Sequence, residues 1–433
     1  MKFFLHNVRG FSDTEISFGQ VNFLVGENST GKTSFLGLLR LISSHNFWLQ
    51  GDFYAKDVAF GTFNDLLSKN SELPFFQIGV TVLPEDVMLP SAKTDSGFSA
   101  MCMFGEYDGM PRVIAYTFFE DQSITHVSLY GENRGFITKA VSPKSQLFKG
   151  LNKMAQWQRE AVKKKLTPFP KELPQALQGK IPIYFIVDLV KSKGKSISSE
   201  TSSVIRLLSS VNESVWHSPI RIKPQRTYDE PTLEYSSEGI HTPYLIKKHL
   251  AKKKGNFRKY LEDFGNKGHL FNSISVKSYG EDSISPFELD LHFGDLTLAL
   301  NQVGYGVSQI LPVVTELLAR RGEEFYLIQQ PEIHLHPRAQ SALGEFFFAM
   351  ANTYGQRLFI ETHSDFIIDR FRLSLSKTPE NNVRAQILFF QKKGNHNVVD
   401  QIGIQPNGSY QQEQPKGFHN FFIHEELELL GIK

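Results

Sequence analysis

Residues 21–34 read VNFLVGENSTGKTS, an apolar run that gives way to glycine and polar residues and ends on a lysine and two hydroxyls. Gly26, Gly31, Lys32 and Thr33 fall at the spacing Gly, four residues, Gly, Lys, then Ser or Thr. That order is one a phosphate requires. Glycines let the backbone curl until its N–H groups point at a single anion, and a helix starting at once adds the positive end of its dipole. Lys32 is expected to reach the outer phosphates, and the Thr33 hydroxyl to bind Mg2+. Both flanks agree. VNFLV has the character of a buried strand, and TSFLGLLRLISSHNF carries Phe35, Leu38, Leu39 and Ile42 at helical spacing, one stripe for a sheet.

Upstream, FFLHNVRGF and TEISF alternate as short strands. Downstream, a loop with GDFYAKDVAFGTFNDLL leads to FFQIGVTVL, MCMFGEY, RVIAYTFF and HVSLYG, strand candidates for an antiparallel layer. From about residue 143 the character shifts to longer helical stretches, lysine clusters in AVKKKL and IKKHLAKKKGNFRK, and a Ser-rich joint around Lys191 to Ser203. SISVKSY and FELDLHF restore strand alternation. Helices then alternate with buried strands through YLIQQ, RLFIETH and AQILFFQ, which argues for a parallel α/β sheet. The expected organisation is residues 1–142 with the phosphate loop and antiparallel layer, 143–280 as a helical insertion or lid, and 281–433 closing the sheet.

A chain of 433 residues with 40% hydrophobic content is long enough for two or three core-bearing units. Lys and Arg number 47 against 45 Asp and Glu, so no overall field draws nucleic acid or membrane. Cys102 is the only cysteine, which excludes an internal disulfide and a cysteine-based zinc site and fits a reducing, cytoplasmic setting. His6, Asn7 and Arg9 interrupt the N-terminal apolar residues, and no run of about 18 apolar residues occurs, so neither a signal peptide nor a membrane span is expected. The 37 Phe, in stretches such as EFFFAM and ILFFQ, are expected to be core.

Three further stretches belong with the phosphate loop. LNQVGYGVSQILPVV sets a glycine turn, Gly304 to Gly306, ahead of a helix; YLIQQPEIHLHP follows; RLFIETHSDF then places His363 at a strand end. In that order they resemble the signature motif, Walker B strand and switch histidine of ABC-type ATPases. Within that class they resemble the OLD, RecF and SMC-like branch, as does NVRGF before the loop. The resemblance covers roughly residues 1–80 and 285–433. In wording, SPIRIKPQRTYDEP, GIHTPYLIKK, GENSTGKTSFL and FGTFNDLL are similar to ATPase subunits of bacterial anti-phage systems of the Septu (PtuA) and PARIS (AriA) types.

The resemblance implies an α/β, ABC-type ATPase head with an antiparallel N-terminal layer, a parallel-sheet core and a helical insertion. It also implies a composite site, in which ATP on one subunit is covered by the signature turn of another, in a homodimer or higher oligomer. The implied ATP contacts are Arg9, Gly26, Glu27, Asn28, Ser29, Thr30, Gly31, Lys32, Thr33 and Ser34, with Gly304, Gly306 and Ser308 from the neighbouring copy. Thr33 and Gln329 take the Mg2+ positions, and Gln330, Glu332 and His363 the catalytic ones.

Here the chain departs from its relatives. Gln329 stands where an acidic group usually supports Mg2+, and Gln330 where a glutamate usually polarises water. An amide can orient through its oxygen but cannot accept a proton, and general-base work contributes about two to four orders of magnitude. Slow hydrolysis with intact ATP binding is one expectation; the other is that Glu332 restores ordinary hydrolysis. The implied function is ATP-dependent assembly and gating of a separate effector, a nuclease or toxin, in anti-phage defence. The alternative is a RecF- or SMC-type repair or chromosome-maintenance ATPase acting directly on DNA.

Lysines 163–165 and 252–254 either grip nucleic-acid phosphates or form a solvated helix face. Arg221 and Arg226 either read phosphate charge or form structural ion pairs. His334 and His336 lie two apart on an irregular segment, a poor geometry for zinc. Only about 70 residues follow His363, too few for a nuclease domain of usual size, so any destructive activity is expected in another polypeptide. The closing phrase PKGFHNFFIHEELELLGIK either docks that partner or packs into the core.

Overall fold

The computed structural model describes residues 1–55, 57–69, 71–83, 97–120, 123–129, 134–142, 150–169, 203–210, 213–229, 231–232, 234–252, 255–282, 285–320, 322, 324–415 and 417–418. The Ser-rich joint at 191–202, Lys253 and Lys254, and residues 419–433 of the closing phrase lie outside them. The chain forms two compact units. The first comprises Met1–Phe18, Asn28–Glu213 and Phe390–Val399; the second comprises Gly19–Glu27, Ser214–Phe389 and Asp400–Lys433.

Strands β1 (Lys2–His6), β2 (Thr14–Ser17) and β3 (Val21–Gly26) open the chain, followed by the short pair β4 (Tyr54–Ala55) and β5 (Val58–Ala59). Next come β6 (Phe76–Val82), β7 (Phe98–Tyr107), β8 (Met110–Glu120), β9 (Ser123–Ser128) and β10 (Gly135–Ala140). Strand β11 (Ser214–His217) precedes the meander β12 (Ser273–Ser278), β13 (Phe287–Phe293) and β14 (Leu296–Ala299). Strands β15 (Phe325–Gln329), β16 (Arg357–Glu361), β17 (Ala385–Lys393) and β18 (His396–Ile404) complete the set.

The first unit holds the antiparallel layer that the alternating stretches predict, in the order β10-β9-β8-β7-β6-β1-β2. Successive side chains of a strand point to opposite faces, and β1 uses both. Phe3 packs on Phe35 of helix Lys32–Ile42, with ring centroids 5.7 Å apart. Phe4 joins Met101, Phe119 and Ile124 against Met154 and Trp157 of helix Leu151–Ala161. Gln158, buried in that helix, is satisfied on three sides: it donates to the Met101 carbonyl and the Thr117 hydroxyl and accepts from Gln77.

The second unit is built on the sheet β11-β15-β16-β3-β17-β18, in which β11, β15, β16 and β3 run parallel. Helices lie on both faces of a parallel sheet, so its strands have no polar side; accordingly every residue of β3 and β15 is buried. Phe23 meets Phe371 of helix Asp365–Ser376 edge-on at 5.1 Å, and Phe264 packs on Phe346 of helix Pro337–Tyr354. Truncating such a phenylalanine to alanine costs about 3–5 kcal/mol. Asn22 is the polar exception in β3, and it is consumed locally: it accepts from the Gly19 N–H and donates to the Gly19 and Leu358 carbonyls.

The stretch 143–280 contributes to both units. Helices Leu151–Ala161 and Ser203–Ser210 belong to the first, and Thr242–Leu250 and Phe257–Gly268 to the second.

Candidate nucleotide site

Strand β3 ends on Gly26 at φ 146°, and the chain turns through Ser29 (φ 63°) and Gly31 (φ 98°) into helix Lys32–Ile42. Gly31 caps that helix with no side-chain hydrogen bond, and the first turn carries no acidic residue. A helix start led by glycine, with no acid in its first turn, is a favourable place for an anion. A Cβ on Gly31 would lie 2.7 Å from Asn397 Nδ2 and 2.8 Å from Phe11 Cζ. Positive φ and close approach together leave room only for glycine. Thr30 and Lys32 are buried, Ser34 is half-buried, and Glu27, Asn28, Ser29 and Thr33 are exposed.

Asn397, on β18, organises this corner of the first unit. Its Nδ2 donates to the Arg9 carbonyl at 2.9 Å and its backbone N–H to the Gly10 carbonyl at 2.8 Å. It thus ties the left-handed turn Arg9–Gly10 to the loop at Gly31. The Arg9 guanidinium lies 5.2 Å over the Phe60 ring.

In the second unit the ends of β15 and β16 bring Gln329, Gln330, Glu332, Glu361 and His363 together. Gln329 pairs in register with Glu361, and Glu361 with Leu24, two residues before Gly26. The Gln329 amide donates to Glu361 Oε2 at 3.2 Å, and the Gln330 N–H donates to the Glu361 carbonyl at 2.8 Å. Gln330 holds φ 40°, a conformation that costs a non-glycine residue about 1–3 kcal/mol. Glu332 Oε1 accepts the His363 N–H at 2.7 Å, while its Oε2 is buried and has no hydrogen-bond partner. Burial pushes the Glu332 carboxyl above the usual carboxylate range, opposed by the His363 N–H. The His363 side chain is exposed, and Ser364 caps the following helix.

The Gly304–Gly306 turn opens helix Tyr305–Ala319 at Gly304, again without a side-chain cap. Its two glycines differ. A Cβ on Gly304 would meet nothing within 4 Å, whereas one on Gly306 would lie 2.3 Å from the His334 carbonyl oxygen. Tyr305 sets its ring edge-on to His334 at 5.0 Å. Ser308 donates to the Tyr305 carbonyl at 2.8 Å and lines a cavity of about 300 Å³ shared with Thr242, Tyr228 and Leu311. Arg221 is buried beside this helix, donating to the carbonyls of Gln309 at 3.0 Å and Gln329 at 3.2 Å. Arg226 pairs with Glu288 at 3.5 Å. His336 caps helix Pro337–Tyr354, accepting the Arg338 N–H. Lys163, Lys164, Lys165 and Lys252 are exposed.

Among the described residues, no three His, Cys, Asp or Glu side chains gather to hold a metal. The donors at the strand ends are oxygens: the Gln329 amide and the Glu332 and Glu361 carboxylates. That set fits a hard cation that arrives with phosphates, because Mg2+ is usually held by one or two carboxylates plus substrate oxygens rather than by an all-protein cage.

Two residues, one in each unit, escaped the motifs. Glu361 had a visible signal, a carboxylate directly before the Thr–His–Ser turn in RLFIETHS. Asn397 had none, since only the fold brings it to the loop.

A buried strand that runs through a glycine loop into a helix defines a phosphate-loop nucleotide-binding α/β protein. The model of the AAA ATPase domain family AAA_15 matches residues 1–368, and the chain belongs to that family. It is thus an ATP-binding AAA ATPase domain of mixed α/β fold. No curated protein matches it by sequence. Among solved structures it is similar to an Smc head bound to the C-terminal winged-helix domain of ScpA, at 12% identity and TM-score 0.46, over 93% of this chain and 97% of that one. It is also similar to the Smc head with an extended coiled coil bound to the C-terminal domain of ScpA from Pyrococcus furiosus, at 11% identity and TM-score 0.46, over 99% and 98%. A third is the SMC head of Thermotoga maritima, at 9% identity and TM-score 0.37, over 92% and 97%. Among the described residues no helix is long and apolar enough to cross a membrane.

Proposed function

We propose that this chain is an ATP-operated assembly switch that turns over slowly, two copies closing on nucleotide and thereby gating a separate effector. The observation that carries the reading is an intact phosphate loop combined with Gln329 and Gln330 at the end of β15. The loop N–H groups and Lys32 would hold the triphosphate, and the exposed turn at Gly304 and Tyr305 would cover the nucleotide of a second copy. Mg2+ bound with ATP would neutralise phosphate charge, with the Thr33 hydroxyl as its ligand on the loop. Glu332, whose Oε1 accepts the His363 N–H, would accept the proton from water. A raised carboxyl is the better base near neutral pH, because proton transfer is most efficient when the catalytic group titrates close to working pH. The anti-phage setting, with a nuclease or toxin as effector, is supported by the wording of residues 218–231 and 239–248.

Two measurements test this. Solution mass with ATP and with ADP should show association in ATP only. Phosphate release should be slow in the native protein, slower in Glu332→Gln and lost in Lys32→Ala. Equal release from all three removes hydrolysis, and a mass indifferent to ATP removes the switch.

A further inference from the structure

Glutamine at 329 leaves the end of β15 without the charge that a nucleotide-borne cation requires. The sheet register supplies one from the next strand. Paired residues on parallel strands project to the same face, and Gln329 and Glu361 are so paired, joined by the 3.2 Å bond from the amide to Oε2. Glu361 in turn stands level with Leu24 on β3, and the Thr362 N–H donates to the Leu24 carbonyl, so the carboxylate sits beside the strand that runs into Gly26. It is 4% exposed, and a charge so buried is retained where it is paired or meets a cation.

The glutamine then has a physical reason. An acid at 329 would set two carboxylates in register within contact distance, and like charges that close cannot both ionise. One amide and one carboxylate avoid that repulsion, with the amide N–H holding the Glu361 carboxylate in place.

We propose that Glu361 carries the metal-holding charge of the ATP site, displaced by one strand from position 329, and that Gln329 positions it. This rests on the ATP-binding reading above. It concerns the metal, and leaves proton transfer at Glu332 as a separate matter.

The test uses the full chain and a fluorescent ATP analogue, titrated in EDTA and in Mg2+, with the Mn2+ electron paramagnetic resonance spectrum of the ATP complex as a readout independent of turnover. Glu361→Gln should bind nucleotide in EDTA as the native protein does. Its gain in affinity on adding Mg2+ should fall by about 10- to 100-fold, the usual effect of removing a ligand or its supporting partner, and its Mn2+ spectrum should change. The exchanged variant Gln329→Glu/Glu361→Gln should regain the response. A Glu361→Gln protein with the native Mg2+ gain and Mn2+ spectrum overturns the proposal and leaves ATP binding standing. A native protein that binds no ATP in either condition overturns both readings. Should Glu361→Gln lose binding in EDTA as well, the exchanged variant decides: a recovered metal response supports the proposal, and its absence overturns it.

Discussion

The two glycines of the Gly304–Gly306 turn offer a clean separation of structure from function, because alanine at each should do opposite things. At Gly306 a Cβ would lie 2.3 Å from the backbone oxygen of His334, a residue already at φ 63°. That oxygen belongs to main chain and cannot swing aside as a side chain would, so turn and loop must part by several tenths of an ångström. Overpacking of this kind costs about 1–3 kcal/mol. For a unit of this size each kcal/mol lowers Tm by about 2–4 °C, so Gly306→Ala should melt roughly 2–12 °C below the native protein. At Gly304 φ is −54° and the space is open, so alanine is tolerated and stability should stay within about 0.5 kcal/mol. The same open, exposed position is where a second copy's nucleotide would come close, and there a methyl group should weaken ATP-dependent association. Circular dichroism melts and solution mass with ATP read the two effects independently. Native-like melting of Gly306→Ala would refute the tight turn-to-loop contact, and undiminished ATP-dependent association of Gly304→Ala would refute the covering role of the turn.

Glu332→Gln should show a pH-dependent gain in stability. Glu332 titrates above the usual range when folded, so ionising it costs the native state once the pH exceeds that raised value; below the ordinary carboxylate range both states are protonated and the cost vanishes. The variant's advantage in Tm should therefore be present at neutral pH and shrink to nothing by about pH 4; an advantage unchanged across that span would refute the assignment. Arg221→Ala should lower the urea midpoint by the equivalent of about 2–4 kcal/mol, because the carbonyls of Gln309 and Gln329 lose a charged donor in a buried place. A loss below about 0.5 kcal/mol would show that water replaces it.

What the sequence determined by itself is local. The phosphate loop is legible because its strand, glycines, lysine, hydroxyl and helix are consecutive, and each residue type answers a constraint set by its neighbours. Alternation in β6 to β8 and continuous apolarity in β3 and β15 are likewise written in order, since burial on one face or two dictates the pattern. Glu332 and His363 could be named from motifs; that they share a hydrogen bond came from the fold. Tertiary structure alone decided the rest. Glu361 stands beside Gln329 because β16 inserts between β15 and β3, and Asn397 reaches the Arg9 turn and Gly31 because β18 returns to the start of the chain. Register across a parallel sheet is set by packing between residues far apart in the chain, so no short stretch of sequence contains it. The two glutamines show the difference: read in line they are a lost charge, and read across the sheet one of them is the partner of a carboxylate.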